Sequence, residues 1–262
     1  MRPLDQLAEI AQKAVAIGAD LIRTTRPTTI TVKSDRDIFT DVDVEVERAI
    51  RRYLSEVTPE IGFIGEEEGR STQAPGSRAV WALDPIDGTA NFSHGIPLYA
   101  TQIALLHDDT AFVCAVSLPY SSQTYWAARG LGAYAGDKRI QVSKTTDPAN
   151  SIVSIGDYAT GDGAQEKNRK RLSLTEMLAA RVERIRMLGS AAHDFAWAAE
   201  GRTDAVVILS NNTLDIAPGA LLATEAGAYV TDLDGARYTS KASAVLAANP
   251  ELAKALLSLI SQ

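Results

Sequence analysis

Apolar positions in the first 24 residues recur at helical spacing: Leu4, Leu7, Ala8, Ala11, Ala14, Val15 and Leu21 form one stripe. That spacing predicts a helix over roughly 4–24, ended by Pro27. A second stripe of Val42, Val46, Ile50, Tyr53 and Leu54 predicts another helix after an Asp-rich loop, with Glu45, Glu47, Arg48, Arg51 and Arg52 largely facing water. From residue 60 the period changes. IGFIG (61–65) and AVWALD (79–84) are short β-favouring runs, each leading to acidic residues. YATQIALLHD and AFVCAVSLPY, meeting at HDDT, predict a β-hairpin, and QTYWAARGLGAYAGDKRI continues strand, turn, strand. The first half therefore reads as helices followed by an antiparallel meander.

In the second half, SIVSIG predicts a strand and LTEMLAARV a helix. RIRMLG leads into GSAAHDFAWAAEG, an Ala-rich helix closed by Gly201. DAVVIL then predicts a strand, APGALLATEAGA a helix, AYVTDL a strand turning at Asp234-Gly235, and AVLAA with PELAKALLSLI a last strand and helix. No repeat, low-complexity run or linker interrupts the series, and a layered α+β or α/β domain is the natural outcome.

Composition narrows the function. The chain has 262 residues, 45% of them hydrophobic, enough for a substantial core. A net charge of −7 argues against electrostatic attachment to nucleic acid or an anionic membrane. The densest basic run, Lys167 to Arg171, reads as a solvated loop or helix start. Cys114 is the sole cysteine and lies in an apolar run, so it reads as a small buried hydrophobe, with no internal disulfide or cysteine-rich zinc site. MRPLDQLAEIAQK is unlike a signal peptide, and no stretch approaches 18 uncharged apolar residues, so the cytoplasm is the expected location.

The informative segment is WALDPIDGTANF (81–92). Pro85 disfavours helix at Asp84, so the chain turns as it leaves the strand and both Asp84 and Asp87 can converge. Convergent carboxylates without basic neighbours rise in pKa or attract a cation, for which hard divalent ions with oxygen ligands suit best. A plain Asp-Pro turn accounts poorly for the first aspartate. Gly65 to Gly69 (GEEEG) follows an apolar strand, which favours a functional over a merely solvated acidic run. Thr40 or Asp41 can cap the second helix, leaving Asp43 harder to explain by capping, and Asp215 reads as a residue ahead of an Ala-rich helix. His94, His107 and His193 stand at no metal-binding spacing, and His94 reads as surface loop.

Together these segments resemble the inositol monophosphatase family of Mg²⁺-dependent, lithium-sensitive phosphatases. The resemblance is carried by GEE at 65–67, DPIDGT at 84–89 with Asn91-Phe92, the run from Asp37 to Asp43, GSAA at 189–192, and Asp215 with APGALLATEAGA. It implies an α+β fold, a layered αβαβα sandwich of the inositol monophosphatase and fructose-1,6-bisphosphatase type. It also implies a single domain over 1–262, with an N-terminal lobe of about 1–140 carrying most metal ligands and a C-terminal lobe of about 141–262 carrying Asp215 and the substrate pocket.

By position, the resemblance makes Glu67, Asp84 and the Ile86 carbonyl ligands of one Mg²⁺, and Asp84, Asp87 and Asp215 ligands of a second. A third ion would use Glu67 and water, and Mn²⁺ could substitute. Glu66 falls behind the metal ligands. Asp43 and Thr89 match the pair that activates water, Gly88 and Thr89 the phosphate cradle, Lys33 a nearby positive charge, and Ser190-Ala191 the lining of the leaving-alcohol pocket. The implied reaction is hydrolysis of a small phosphorylated metabolite by metal-activated water, with inositol-1-phosphate as the first substrate. Histidinol phosphate, fructose-1,6-bisphosphate and a 3′-phosphoadenosine nucleotide are the alternatives, and a non-catalytic metal-binding regulator is the alternative from another class. Family members are commonly homodimers. The chain departs from the pattern at Leu214, where the family has Trp, and at Ile208, where inositol-specific members carry a hydroxyl-binding Glu.

Overall fold

The computed structural model describes residues 2–35, 37–70 and 78–261. The predicted opening helix is α1, Leu4–Thr24. A hairpin of β1 (Ile30–Ser34) and β2 (Asp37–Thr40), which the periodicity did not reveal, leads into α2 (Asp41–Val57). Then follow β3 (Gly62–Gly65), β4 (Ala79–Asp87), a short α3 (Thr89–Ser93), β5 (Ala100–His107), β6 (Thr110–Leu118), β7 (Gln123–Ala128), β8 (Gly132–Ala135) and β9 (Lys138–Ile140). The second half contains β10 (Ile152–Ile155), α4 (Ala164–Ala179), β11 (Arg184–Arg186), α5 (Ala191–Ala199), β12 (Ala205–Ile208), α6 (Thr213–Glu225), β13 (Tyr229–Thr231), β14 (Val245–Ala248) and α7 (Pro250–Ile260). No helix among the described residues is long and apolar enough to cross a membrane.

Strands β3 to β9 form one sheet in sequence order. The meander is antiparallel as expected except at its edge, where β3 and β4 run parallel. The β5–β6 turn places Asp108 and Asp109 both at positive φ, the geometry that matches strand twist in a two-residue hairpin. The second sheet has the order β11-β10-β12-β14-β13, parallel through its first three strands. Strand β11 was not expected, because RIR is too short and polar to show a period.

Four apolar interfaces separate five layers. Helices α1 and α2 pack on one face of the large sheet, burying Leu7, Val15, Val46, Ile50, Trp81 and Leu83. Its other face meets α5 and α6. Those helices then cover the small sheet through Phe195, Val206, Ile216 and Val245. Its outer face is closed by α4 and α7, with Leu178, Val207, Leu246 and Leu252 in between. The result is the αβαβα sandwich.

One contact fixes how closely α5 and α6 approach. A Cβ on Gly219 would stand 2.4 Å from the Phe195 ring. The Gly219→Ala variant gains about 1 kcal/mol of helix propensity but forces overpacking worth about 1–3 kcal/mol. Urea unfolding is expected to show a net loss of stability; a more stable variant would contradict this packing.

Candidate functional site

Strand β4 delivers two carboxylates at its carboxyl end because it bulges there. Asp84 pairs with Gln102 and Asp87 with Ala100, so three steps on β4 oppose two on β5. Pro85 has no N–H to offer the ladder at the break. Val80 and Ala82 face α5 and α6, and the two-residue period gives Asp84 the same face.

The parallel register of β3 supplies the next acid. Gly65 lies beside Leu83, so Glu66 leaves the strand beside Asp84, while Gly65 faces α2. The third source is α6. Asn212 caps it, accepting from the Leu214 N–H at 3.2 Å and donating to Asp215 Oδ1 at 2.9 Å. Asp215 is thus inside the first turn of α6, not ahead of the helix, where the N-terminal dipole favours its negative charge. Gln102, fully buried, ties these parts together: its Nε2 donates to Asp84 Oδ2 at 3.2 Å and to the Asp215 carbonyl at 3.1 Å.

Burial first, and the charges of neighbouring carboxylates second, raise every one of these aspartates. Burial pushes Asp84 well above the usual carboxylate range, and the charges of Glu66, Asp87 and Asp215 add to it. Asp215 is pushed up to about 8, first by burial and then by Asp87 and Glu66. Asp87 rises to about 6 through burial, although the Ser190 hydroxyl and the N–H groups of Ala192 and Ala191 pull the other way. The Ser190 hydroxyl donates to Asp87 Oδ2, and the Ala192 N–H does so at 2.9 Å. Ser190 and Ala191 therefore lie against the Asp87 carboxylate.

Glu66 and Glu67 diverge. Lys33 on β1 donates to Glu66 at 2.9 Å and to Glu67 at 2.6 Å. It is Glu66 whose charge raises Asp84, Asp87 and Asp215. The Glu67 side chain is only 4% exposed, and its carboxyl is raised to about 7 by burial against the opposing pull of Lys33. The sequence reading set Glu67 among the aspartates and Glu66 behind them, whereas it is Glu66, the residue after the last β3–β4 pair, whose charge acts on all three aspartates.

Asp43 sits at the start of α2. The Thr40 N–H and hydroxyl donate to its Oδ2 at 2.8 and 2.5 Å, completing a capping box that the sequence reading did not assign to it. Its other oxygen is 3.3 Å from Thr89 Oγ1, which stands 2.9 Å from the Ile86 carbonyl. Burial raises Asp43 to about 6, against the hydrogen bonds from Thr40. Gly88, at φ 84°, caps α3; a Cβ there would stand 2.9 Å from the Leu98 carbonyl and 3.0 Å from that of Gly189. His94 is exposed and Cys114 is buried, its thiol pushed up to about 12 by desolvation.

The donor chemistry fits a hard divalent cation. All the donors are oxygens, they repel one another, and Asp84 Oδ1 is buried without any hydrogen-bond partner. Among the described residues no three His, Cys, Asp or Glu side chains stand close enough together to hold a metal ion as placed, so the fit rests on charge and on that orphaned oxygen. The sequence reading missed Gln102, Asn212 and Glu47; a glutamine inside the apolar run YATQIALLHD was the available signal for the first.

These raised carboxyls fix a sign. Each binds its proton more tightly in the fold than in the unfolded chain, so their stabilisation is full below about pH 4 and is lost as pH rises through about 6 to 8. In chelator, thermal melting is expected to rise by several degrees between pH 8.5 and 5.5, and a divalent cation should flatten that slope. A slope of the opposite sign would show that the cluster is not crowded.

Comparison with known proteins agrees with this geometry. The model of the inositol monophosphatase family matches residues 3–262. An inositol-1-monophosphatase of Rhizobium meliloti is 33% identical over 233 residues, 89% of this chain and 86% of that protein. The Nus factor SuhB of Xylella fastidiosa is 34% identical over 206 residues, 78% of this chain and 72% of that protein. The crystal structure of the extragenic suppressor protein suhB from Bartonella henselae superposes with a TM-score of 0.89 at 29% identity, covering 97% of this chain and 98% of that one. With its sandwich fold and acidic cluster, the chain belongs to the inositol monophosphatase family.

Proposed function

We propose that this phosphoric monoester hydrolase uses Glu66, Asp84, Asp87, Asp215 and the Ile86 carbonyl to hold two to three Mg²⁺ ions, or Mn²⁺, and cleaves the phosphate ester of a small metabolite. The observation that carries the reading is the buried, unpartnered Asp84 Oδ1, in a carboxylate that burial raises first and the charges of Glu66, Asp87 and Asp215 raise further. Glu66 takes the place first given to Glu67, and Glu67 serves with Lys33 as a neutralised pair behind it.

A phosphate monoester dianion repels an attacking oxygen, so the reaction needs charge neutralisation and in-line positioning more than covalent help. Bound Mg²⁺ supplies that neutralisation and makes water more acidic. The protein's own groups do the rest. Asp43, its carboxyl raised to about 6 by burial, accepts the proton of the attacking water, with the Thr89 hydroxyl between the two. The same hydroxyl also lies 2.9 Å from the Ile86 carbonyl, and its one proton turns to Asp43 when that carbonyl serves a cation. The main-chain N–H groups of Gly88 and Thr89 receive the phosphate, glycine being needed at 88 because the Leu98 and Gly189 carbonyls pass within 3.0 Å of where a Cβ would stand, and Ser190 and Ala191 hold Asp87 in place from the side where the alcohol leaves.

For the alcohol, inositol-1-phosphate is the first candidate, supported by the names of the relatives. At the end of β12, Ile208 is 5% exposed and would touch a Cβ on Gly156. It accepts no hydrogen bond, so the site lacks at that position the polar contact that can reject a poorly matched alcohol.

Asp84→Asn is expected to fold and to fall below about a tenth of wild-type rate at any Mg²⁺ concentration, roughly 1.4 kcal/mol in barrier. Near-normal turnover would remove Asp84 from the reaction. Specificity constants measured with Mg²⁺ on inositol-1-phosphate, histidinol phosphate, fructose-1,6-bisphosphate and a 3′-phosphoadenosine nucleotide should single out at least one substrate. Inactivity on all four would reject this substrate class.

A further inference from the structure

We propose that Glu47, on α2, is a positioning residue that fixes the acidic loop after β3 to the helix carrying Asp43, and thereby sets the cation affinity of Glu66. This rests on the cation-site reading given above. The hydrophobic pattern of α2 sent Glu47 towards water, yet its side chain is fully buried. Its Oε2 accepts the Glu67 N–H at 2.8 Å, and its Oε1 accepts the Glu68 N–H at 3.0 Å. Two consecutive main-chain N–H groups facing one anion form an oriented nest.

Arg51, one turn further along α2, completes the clamp. Its Nη2 donates to Glu47 Oε1 at 2.8 Å and to the Gly69 carbonyl at 3.1 Å, while its guanidinium lies 4.8 Å from the centre of the Phe63 ring. The segment from Glu67 to Gly69 is thus held at three main-chain points by two side chains of one helix. Asp43 lies one turn before Glu47 on the same helix, roughly 6 Å along its axis. The group proposed to take the proton and the loop proposed to hold the cation are therefore parts of one rigid unit.

Gly65 gives independent support. A Cβ there would stand 2.1 Å from Glu47 Cδ and 2.2 and 2.4 Å from its two oxygens. The Glu47 carboxylate occupies the space that any side chain at 65 would need. No φ requirement explains this glycine, since Gly65 is not among the residues at positive φ.

The test is calorimetric titration of Mg²⁺ alone into chelator-treated full-length protein, with melting temperature measured alongside. Glu47→Gln keeps the volume but turns an amide N–H₂ towards one of the main-chain donors, and is expected to weaken Mg²⁺ binding by about tenfold or more. Arg51→Lys, at a partly exposed side chain, keeps the charge but cannot bridge Glu47 and Gly69, and should weaken binding in the same direction if the first variant does not fold. Gly65→Ala should match Glu47→Gln, and the double variant should be no worse than either single one. Asp84→Asn is the control for the underlying reading: if it leaves Mg²⁺ affinity intact, the cation site itself is wrong. If Asp84→Asn abolishes binding while Glu47→Gln and Arg51→Lys lower only the melting temperature, the cation site stands and the positioning role of Glu47 is overturned.

Discussion

Mutual repulsion among Glu66, Asp84, Asp87 and Asp215 is the constraint on which the rest of this structure depends. Taking carboxylates out of water is costly, and placing several beside one another adds to the cost. The fold accepts both at one place, where β4, β3 and the start of α6 converge. Much of the surrounding architecture can be understood as the means of holding these groups where they would otherwise separate or protonate.

The holding is shared by the large sheet, the α5–α6 layer and the β1–β2 hairpin. Asn212 and the first turn of α6 steady Asp215, Gln102 joins it to Asp84, and the start of α5 fixes Asp87 through Ser190 and Ala192. Lys33 offsets Glu66 and Glu67 from the hairpin before α2, and burial fails to neutralise it because the two carboxylates hold its proton. Each support belongs to a different element, so the site exists only when α5 and α6 are docked on the large sheet and the β1–β2 hairpin lies beside the end of β3. Two apolar interfaces, one on each face of the large sheet, therefore determine the electrostatics of a polar site.

Three residues show where reading the chain falls short. Glu47 lies off the apolar stripe of α2, and nothing in a helical period marks it as buried, because its partners are main-chain N–H groups 20 and 21 residues away. Asp43 looked unexplained by capping, yet it completes a box with Thr40 while its second oxygen reaches Thr89, 46 residues on. Glu66 and Glu67 are the same residue type in adjacent positions, and only the folded chain decides that the charge of Glu66 acts on Asp84.

Local chemistry determined the elements: amphipathic stripes gave α1 and α2, the Asp-Asp turn gave the β5–β6 hairpin, Gly201 closed α5, and Pro85 between two aspartates signalled a break in pairing, which the sheet absorbs as a bulge with β4 running on to Asp87 instead of turning away. These are properties of neighbouring residues, and they survive in the sequence because sterics and periodicity act over a few positions. The tertiary structure alone decided which carboxylates share a pocket, which faces the cluster and which is tied to a loop. Such choices depend on strand register and layer stacking between segments far apart in the chain, and a shift of a single residue in that register exchanges one face of a strand for the other.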